Sequence, residues 1–191
     1  SEWFADEMPE NWMNDAFSSL NKAFDLDPDD LEAHRIMGAV SLLFEKDIEK
    51  AVFHHKKAIE MVPSDTFHLA RYAILLCFLD EPNSGLVEIK KAIRINPFCS
   101  DLIHEAEGFC YYLLGDFKTA VSSFKKMQID TWNTLFYLAS CYMEMNQIEK
   151  AKNYIELARN MSSISIKQFL STQLFVNDKQ SSFLNNSLSS I

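Results

Sequence analysis

Small residues recur along the chain at a nearly constant interval: Ala51, Gly85, Ala120 and Ala151 stand 34, 35 and 31 residues apart. The stretches around them are alike: IEKAVFHHKKAIEMVP (48–63), SGLVEIKKAIRINP (84–97), FKTAVSSFKKMQID (117–130) and IEKAKNYIELARNM (148–161). Each carries a bulky or apolar residue four positions after the small one, and usually Ala three positions later. An earlier copy, DAFSSLNKAFDLDP (15–28), fits with Ala16, Leu20 and Ala23, and its Pro28 lies 35 residues before Pro63, itself 34 before Pro97. A recurrence of this length is the mark of stacked supersecondary units that bury a continuous core between neighbours.

A second helical pattern precedes each of the four later copies: LEAHRIMGAVSLLF (31–44), FHLARYAILLCFL (67–79), LIHEAEGFCYYLL (102–114) and TLFYLASCYMEM (134–145). Apolar residues fall at i, i+3, i+4 and i+7, as an amphipathic helix requires. Asp29 with Glu32 reads as a capping box, and Ser64 and Ser100 as N-caps after a proline. Short turns at 45–47, 80–83, 115–116 and 146–147 separate the paired helices. The expected unit is therefore a helix–turn–helix of about 34 residues. With only 4 Gly and 5 Pro in 191 residues, the chain lacks the turn chemistry of an all-β fold.

The adjacent His54 and His55 invite a metal reading. Neighbours on a helix point about 100° apart, so the two do not readily share one ion; one is expected to pack and the other to face solvent. Cys77, Cys99, Cys110 and Cys141 form no CxxC pair, which points to reduced, packed thiols and a cytoplasmic setting rather than a metal site or disulfide framework. A net charge of −9 argues against non-specific nucleic-acid binding. No apolar run reaches membrane-spanning length, and the acidic opening SEWFADEMPE lacks a leader pattern. The opening Ser1 in place of Met suggests a piece of a longer chain. Gly-rich phosphate loops, HExxH and nucleophile elbows are missing from the sequence, so no catalytic residue, metal or cofactor is expected.

Period and pattern together resemble the tetratricopeptide repeat, over roughly residues 11–161. The resemblance implies an all-α, right-handed superhelical solenoid: a partial first repeat at 1–30, repeats at 31–65, 66–100, 101–131 and 132–161, and capping helices at 162–191. Small residues on the first helices (Gly38, Ala73, Gly108, Ala139) would permit close approach to the second helices, which carry Ala51, Gly85, Ala120 and Ala151. Ala58, Ala92 and Ala158 would meet the next repeat. Departures from the family pattern are His34 and His104 at apolar places, His55 at an aromatic one, Met127 for the second Ala, and a short fourth repeat without its closing Pro. These predict looser packing between the fourth and fifth copies.

Such arrays bind partners in a groove lined by the first helices. Carried over by position, the lining includes Phe67, Ile74, Phe78, Phe109, Tyr112, Phe136 and Met143, and is largely apolar. It lacks the Lys and Asn set with which some members grip a chaperone's C-terminal carboxylate. The expected function is a non-catalytic scaffold that takes a partner's helix or peptide in this groove. Self-association, as in a homodimer, and filling by residues 164–190 are the competing occupants. The dilysines Lys56-Lys57, Lys90-Lys91 and Lys125-Lys126 recur in register and read as a solvated face. More finely, AFDLDPDDLEAHRIMGAVSLLF, the shortened fourth repeat and the tail FVNDKQSSFLNNSLSSI resemble the repeat regions behind class III adenylate/guanylate cyclase domains and bacterial winged-helix regulators. That implies a regulatory, signalling or sensory role in a larger bacterial protein.

Overall fold

A computed structural model describes residues 12–189. The parts of the expected first repeat at 1–11 and of the expected cap at 190–191 lie outside the described residues. The described residues form helices and no strand. They divide into two compact units, the first ending at His68 and the second beginning at Leu69.

In the first unit, α1 (Trp12–Leu26) is followed by α2 (Leu31–Val40), a π-helical turn (Ser41–Glu45) and α3 (Ile48–Met61). Asp30, not Asp29, caps α2, its carboxylate accepting from the Ala33 amide at 2.6 Å. Helix α4 (Thr66–Phe78) begins at the end of this unit, and its cap is Asp65 rather than Ser64: the carboxylate accepts from the His68 amide at 3.1 Å. In the second unit the rest of α4 is followed by α5 (Pro82–Ile95), then α6 (Asp101–Leu113) and α7 (Phe117–Phe124), α8 (Trp132–Glu144) and α9 (Ile148–Met161), and two tail helices, α10 (Ile166–Thr172) and α11 (Asp178–Ser189). Ser100 stands at the N-cap of α6 without a capping bond from its side chain.

The periodicity reappears in the backbone. Lys46, Asp80, Gly115 and Asn146 all adopt positive φ, and each lies five residues before the small residue of the following helix. Only one of the four is glycine. The other three glycines are placed where two helices touch. A Cβ on Gly38 would lie 3.0 Å from the His55 ring, and one on Gly108 would lie 2.5 Å from the Phe124 ring. His55 and Phe124 occupy the same register position as Ile89 and Ile155, all four buried.

One irregularity has a simple origin. From Gly38 to the left-handed Lys46 is eight residues, whereas Ala73 to Asp80, Gly108 to Gly115 and Ala139 to Asn146 are each seven. The extra residue is absorbed as the π-turn: Lys46 donates its amide to the Ser41 carbonyl, five residues back. Downstream turn and packing therefore stay in phase.

The short α7 does not leave the following helix uncovered. Nine consecutive residues of α8, Thr134–Tyr142, are buried. The missing helical turn is replaced by side-chain ties: Asp101 accepts from the Gln128 and Ile129 amides at 2.9 and 3.0 Å, and Glu107 accepts from Ser123 at 2.7 Å and Lys126 at 3.1 Å.

Gly108→Leu is expected to destabilise the second unit by at least ~3 kcal/mol, because a side chain there meets a fully buried ring. In denaturant unfolding, Gly108→Ala should cost about 1–3 kcal/mol, with part recovered on adding Phe124→Leu. A wild-type midpoint for Gly108→Leu would contradict the assigned contact.

Candidate functional site

The eleven packing residues, Gly38, Ala51, Ala58, Ala73, Gly85, Ala92, Gly108, Ala120, Ala139, Ala151 and Ala158, all lie in the interior. The groove residues separate into two groups. In the first unit Phe67 is exposed, with the Arg35 guanidinium carbon 5.5 Å from its ring centre. In the second unit Ile74, Phe78 and Met143 are half-buried, and Phe109, Tyr112 and Phe136 are buried.

What buries the latter three includes the chain's own tail, one of the occupants expected for these positions. The Phe169 ring of α10 stacks on Phe136 at 4.6 Å and meets Tyr137 edge-on at 5.5 Å. Phe175, in the link between α10 and α11, contacts the rings of Phe78 (5.5 Å) and Phe109 (6.0 Å). Phe183 of α11 lies 6.0 Å from Tyr112 and stacks on Phe117 at 5.9 Å. Leu184 and Leu188 of α11 are fully buried in the same core. The face that carries Phe78, Phe109, Tyr112 and Phe136 is therefore covered by a segment of this chain.

Its floor is not wholly apolar. Tyr112 and Ser140 share a hydrogen bond of 2.9 Å, and Ser140 and Ser187 share one of 2.8 Å, a buried relay from α6 through α8 to α11. Burial drives the Tyr112 phenol well above its ordinary range, so the relay is neutral. In register, Ser140 stands where the two preceding repeats place Phe109 and Ile74. Beside it, Glu105 accepts from Asn133 at 3.4 Å and Thr134 at 3.3 Å, and burial raises its carboxyl above the usual range. The segment is tied at its start by the Val176 amide donating to the Phe78 carbonyl (3.0 Å) and by Asp80 accepting from Asn177 and Gln180, both at 2.6 Å.

Ser140 falls on a position that register assigns to the lining of α8, whereas sequence reading missed Ser187, Phe175 and Phe183. The available signal was Leu184 and Leu188, one helical turn apart inside an otherwise polar tail.

The histidines also depart from expectation. His54 and His55 are both buried, because α3 packs on two sides. The Nδ1 atoms of His34 and His54 lie 2.8 Å apart, and His55 Nδ1 lies 3.3 Å from His68 Nε2, with the rings stacked. Among the described residues no group of three or more His, Cys, Asp or Glu is placed to hold a metal ion. Cys77 and Cys110 bring their sulfurs to 3.3 Å in the interior, and burial pushes the Cys77 thiol well up, which marks it as packing rather than a nucleophile. The dilysines are largely solvated, with Lys126 paired to Glu107 at 3.1 Å. No helix among the described residues is long and apolar enough to cross a membrane.

Burial, and then the neighbouring His34 and Lys50, lower the pKa of His54 to about 4. Above pH 6.5 neither the folded nor the unfolded chain protonates this ring. Between pH 6.5 and 4 the unfolded chain takes up a proton that the folded chain refuses, so stability falls across that window and levels off below it. Linkage limits the loss to about 3 kcal/mol, and solvent screening reduces it. Amide exchange in α2 and α3 should accelerate from about pH 7.5 to 5 after correction for intrinsic rates. His34→Leu with His54→Phe should diminish that acceleration; an unchanged pH dependence would contradict the lowered pKa of His54.

Residues 133–159 match the family model of the tetratricopeptide repeat. Solved structures similar to this chain include PilW, a widely conserved type IV pilus biogenesis factor, at TM-score 0.71 and 19% identity, covering 93% of this chain and 79% of that one. A thermophilic tetratricopeptide-repeat protein of Thermus thermophilus aligns at TM-score 0.66 and 20% identity, covering 85% of this chain and 91% of that one. A tetratricopeptide-repeat protein from Parabacteroides merdae aligns at TM-score 0.68 and 13% identity, covering 95% of this chain and 72% of that one. No curated protein sequence matches the chain.

Proposed function

We propose that this tetratricopeptide-repeat chain is a non-catalytic protein–protein interaction scaffold, and that its client surface in the second unit is the face shared by α4, α6 and α8. The observation that carries the reading is the way this face already holds a helix: Leu184 and Leu188 of α11 are fully buried on it, with Phe78, Phe109 and Tyr112 meeting tail aromatics. A surface that accepts the apolar side of one short helix has the shape and chemistry to accept another. The partner chemistry is accordingly an amphipathic helix rather than an acidic terminal carboxylate. The resemblance of residues 23–44 and the tail to regions behind cyclase and winged-helix domains supports a regulatory role within a larger cytoplasmic signalling protein.

The test is photo-crosslinking of the full chain in its source cells. A benzoylphenylalanine at Ile74 or Met143, which share register with Ser140 and Tyr112, should yield a discrete adduct with another protein. The same residue at Lys118 or Lys152, exposed on α7 and α9, should not. Adducts from the exposed positions alone would contradict the assignment, and an adduct of twice the chain mass would replace a foreign client by self-association.

A further inference from the structure

The hold of the tail on this face is uneven, and the unevenness points to a moving part. Helix α10 is locked: Phe169 is fully buried, and its N-terminus is closed by a capping box between Ser165 and Gln168. From Gln173 to Asn177 the chain leaves the helix before α11 begins at Asp178. Helix α11 presents only Leu184, Ser187 and Leu188 to the interior, and Phe183 remains about one-third exposed. A cleft of about 290 Å³ separates it from α10, lined in part by Leu170, Phe175, Leu184 and Asn185. Its first-turn ties, to Asp80, are exposed side-chain bonds that water replaces.

The relay beneath it adds selectivity. A permanent core would gain by an apolar residue at Ser140, as at Phe109 and Ile74 in the same register. A hydroxyl there accepts a hydroxyl-bearing helix when covered and water when bare. A helix with an apolar side chain in place of Ser187 would leave one hydrogen bond of the relay unmade.

We propose that residues 174–189 are a displaceable strap that autoinhibits the α4–α6–α8 face, and that the client displacing it is an amphipathic helix of the same pattern, F-L-x-x-S-L, as at 183–188. This rests on the scaffold reading and adds its regulation. Held in cis at high effective concentration, the strap lowers the affinity of any external helix by the fraction of time the face is bare.

The experiment uses the full chain and a fluorescein-labelled synthetic peptide of residues 174–189. Leu184→Asp with Leu188→Asp should release the strap, leave amide protection in α6 and α8 intact, and bind the peptide at least tenfold more tightly than the wild type does. The peptide carrying Ser187→Leu should bind the released chain about tenfold more weakly than its parent. Equal affinity for both chains, or no uptake by a released chain with α6 and α8 still protected, would overturn the proposal. If α6 and α8 lose protection, Asp80→Gly decides, since glycine keeps the left-handed turn and removes only the carboxylate that takes the surface ties: a rise in peptide affinity supports the strap and no change overturns it. The two failures separate. Peptide uptake without photo-adducts overturns the foreign client alone; photo-adducts without peptide uptake overturn the strap alone.

Discussion

Two helices of a hairpin approach closely only where one of them gives up its side chain, and the fold of each unit depends on that approach. Gly38 lies against His55 in one hairpin and Gly108 against Phe124 in another, while Ala73 and Ala139 hold the same register elsewhere. The ring or branched chain that fills the space is buried in every case. Once this distance is set, the left-handed turn five residues ahead of the next small residue fixes the second helix in phase with the first. The phase is kept even at α2, where one added residue is taken up as a π-turn and never reaches the packing layer.

Regular packing has a consequence for the surfaces it leaves. Stacked hairpins bury the sides of their helices against neighbours and leave the first helices with an apolar inner face that neighbours do not cover. In the second unit that face is aromatic at Phe78, Phe109 and Tyr112, and in water it would be costly to expose. The tail answers this constraint with Phe175, Phe183, Leu184 and Leu188. The Tyr112–Ser140–Ser187 relay shows that the cover is matched to its site by more than grease, since each buried hydroxyl has its partner.

The helical hairpins were legible because their signals are local: apolar spacing, small residues at a fixed interval and short turns. Caps were less so, with Asp30 and Asp65 acting where neighbours one residue away had the same chemistry. The histidines were misjudged because helical angle alone says nothing about how many sides of α3 are covered. Met127 and the missing proline of the short fourth copy are visible in sequence, while the ties inside that copy from Asp101 and Glu107 join residues 16 to 28 positions apart and are not. The expected lining residues of the second unit lie on α4, α6 and α8, yet their exposure depends on a tail in which a few apolar residues, Phe175, Phe183, Leu184 and Leu188, stand among polar ones. Occupancy of a face is a tertiary property, and periodicity does not encode it.

The inner face of the second unit is filled by the chain's own residues 174–189. Nuclear Overhauser contacts in the full-length protein, selectively labelled at phenylalanine and tyrosine, test it most directly. The account predicts cross-peaks from the Phe175 ring to Phe78 and Phe109, and from the Phe183 ring to Tyr112, in the free protein. Random-coil shifts for Phe175 and Phe183, with no contacts to α4 or α6, would contradict it.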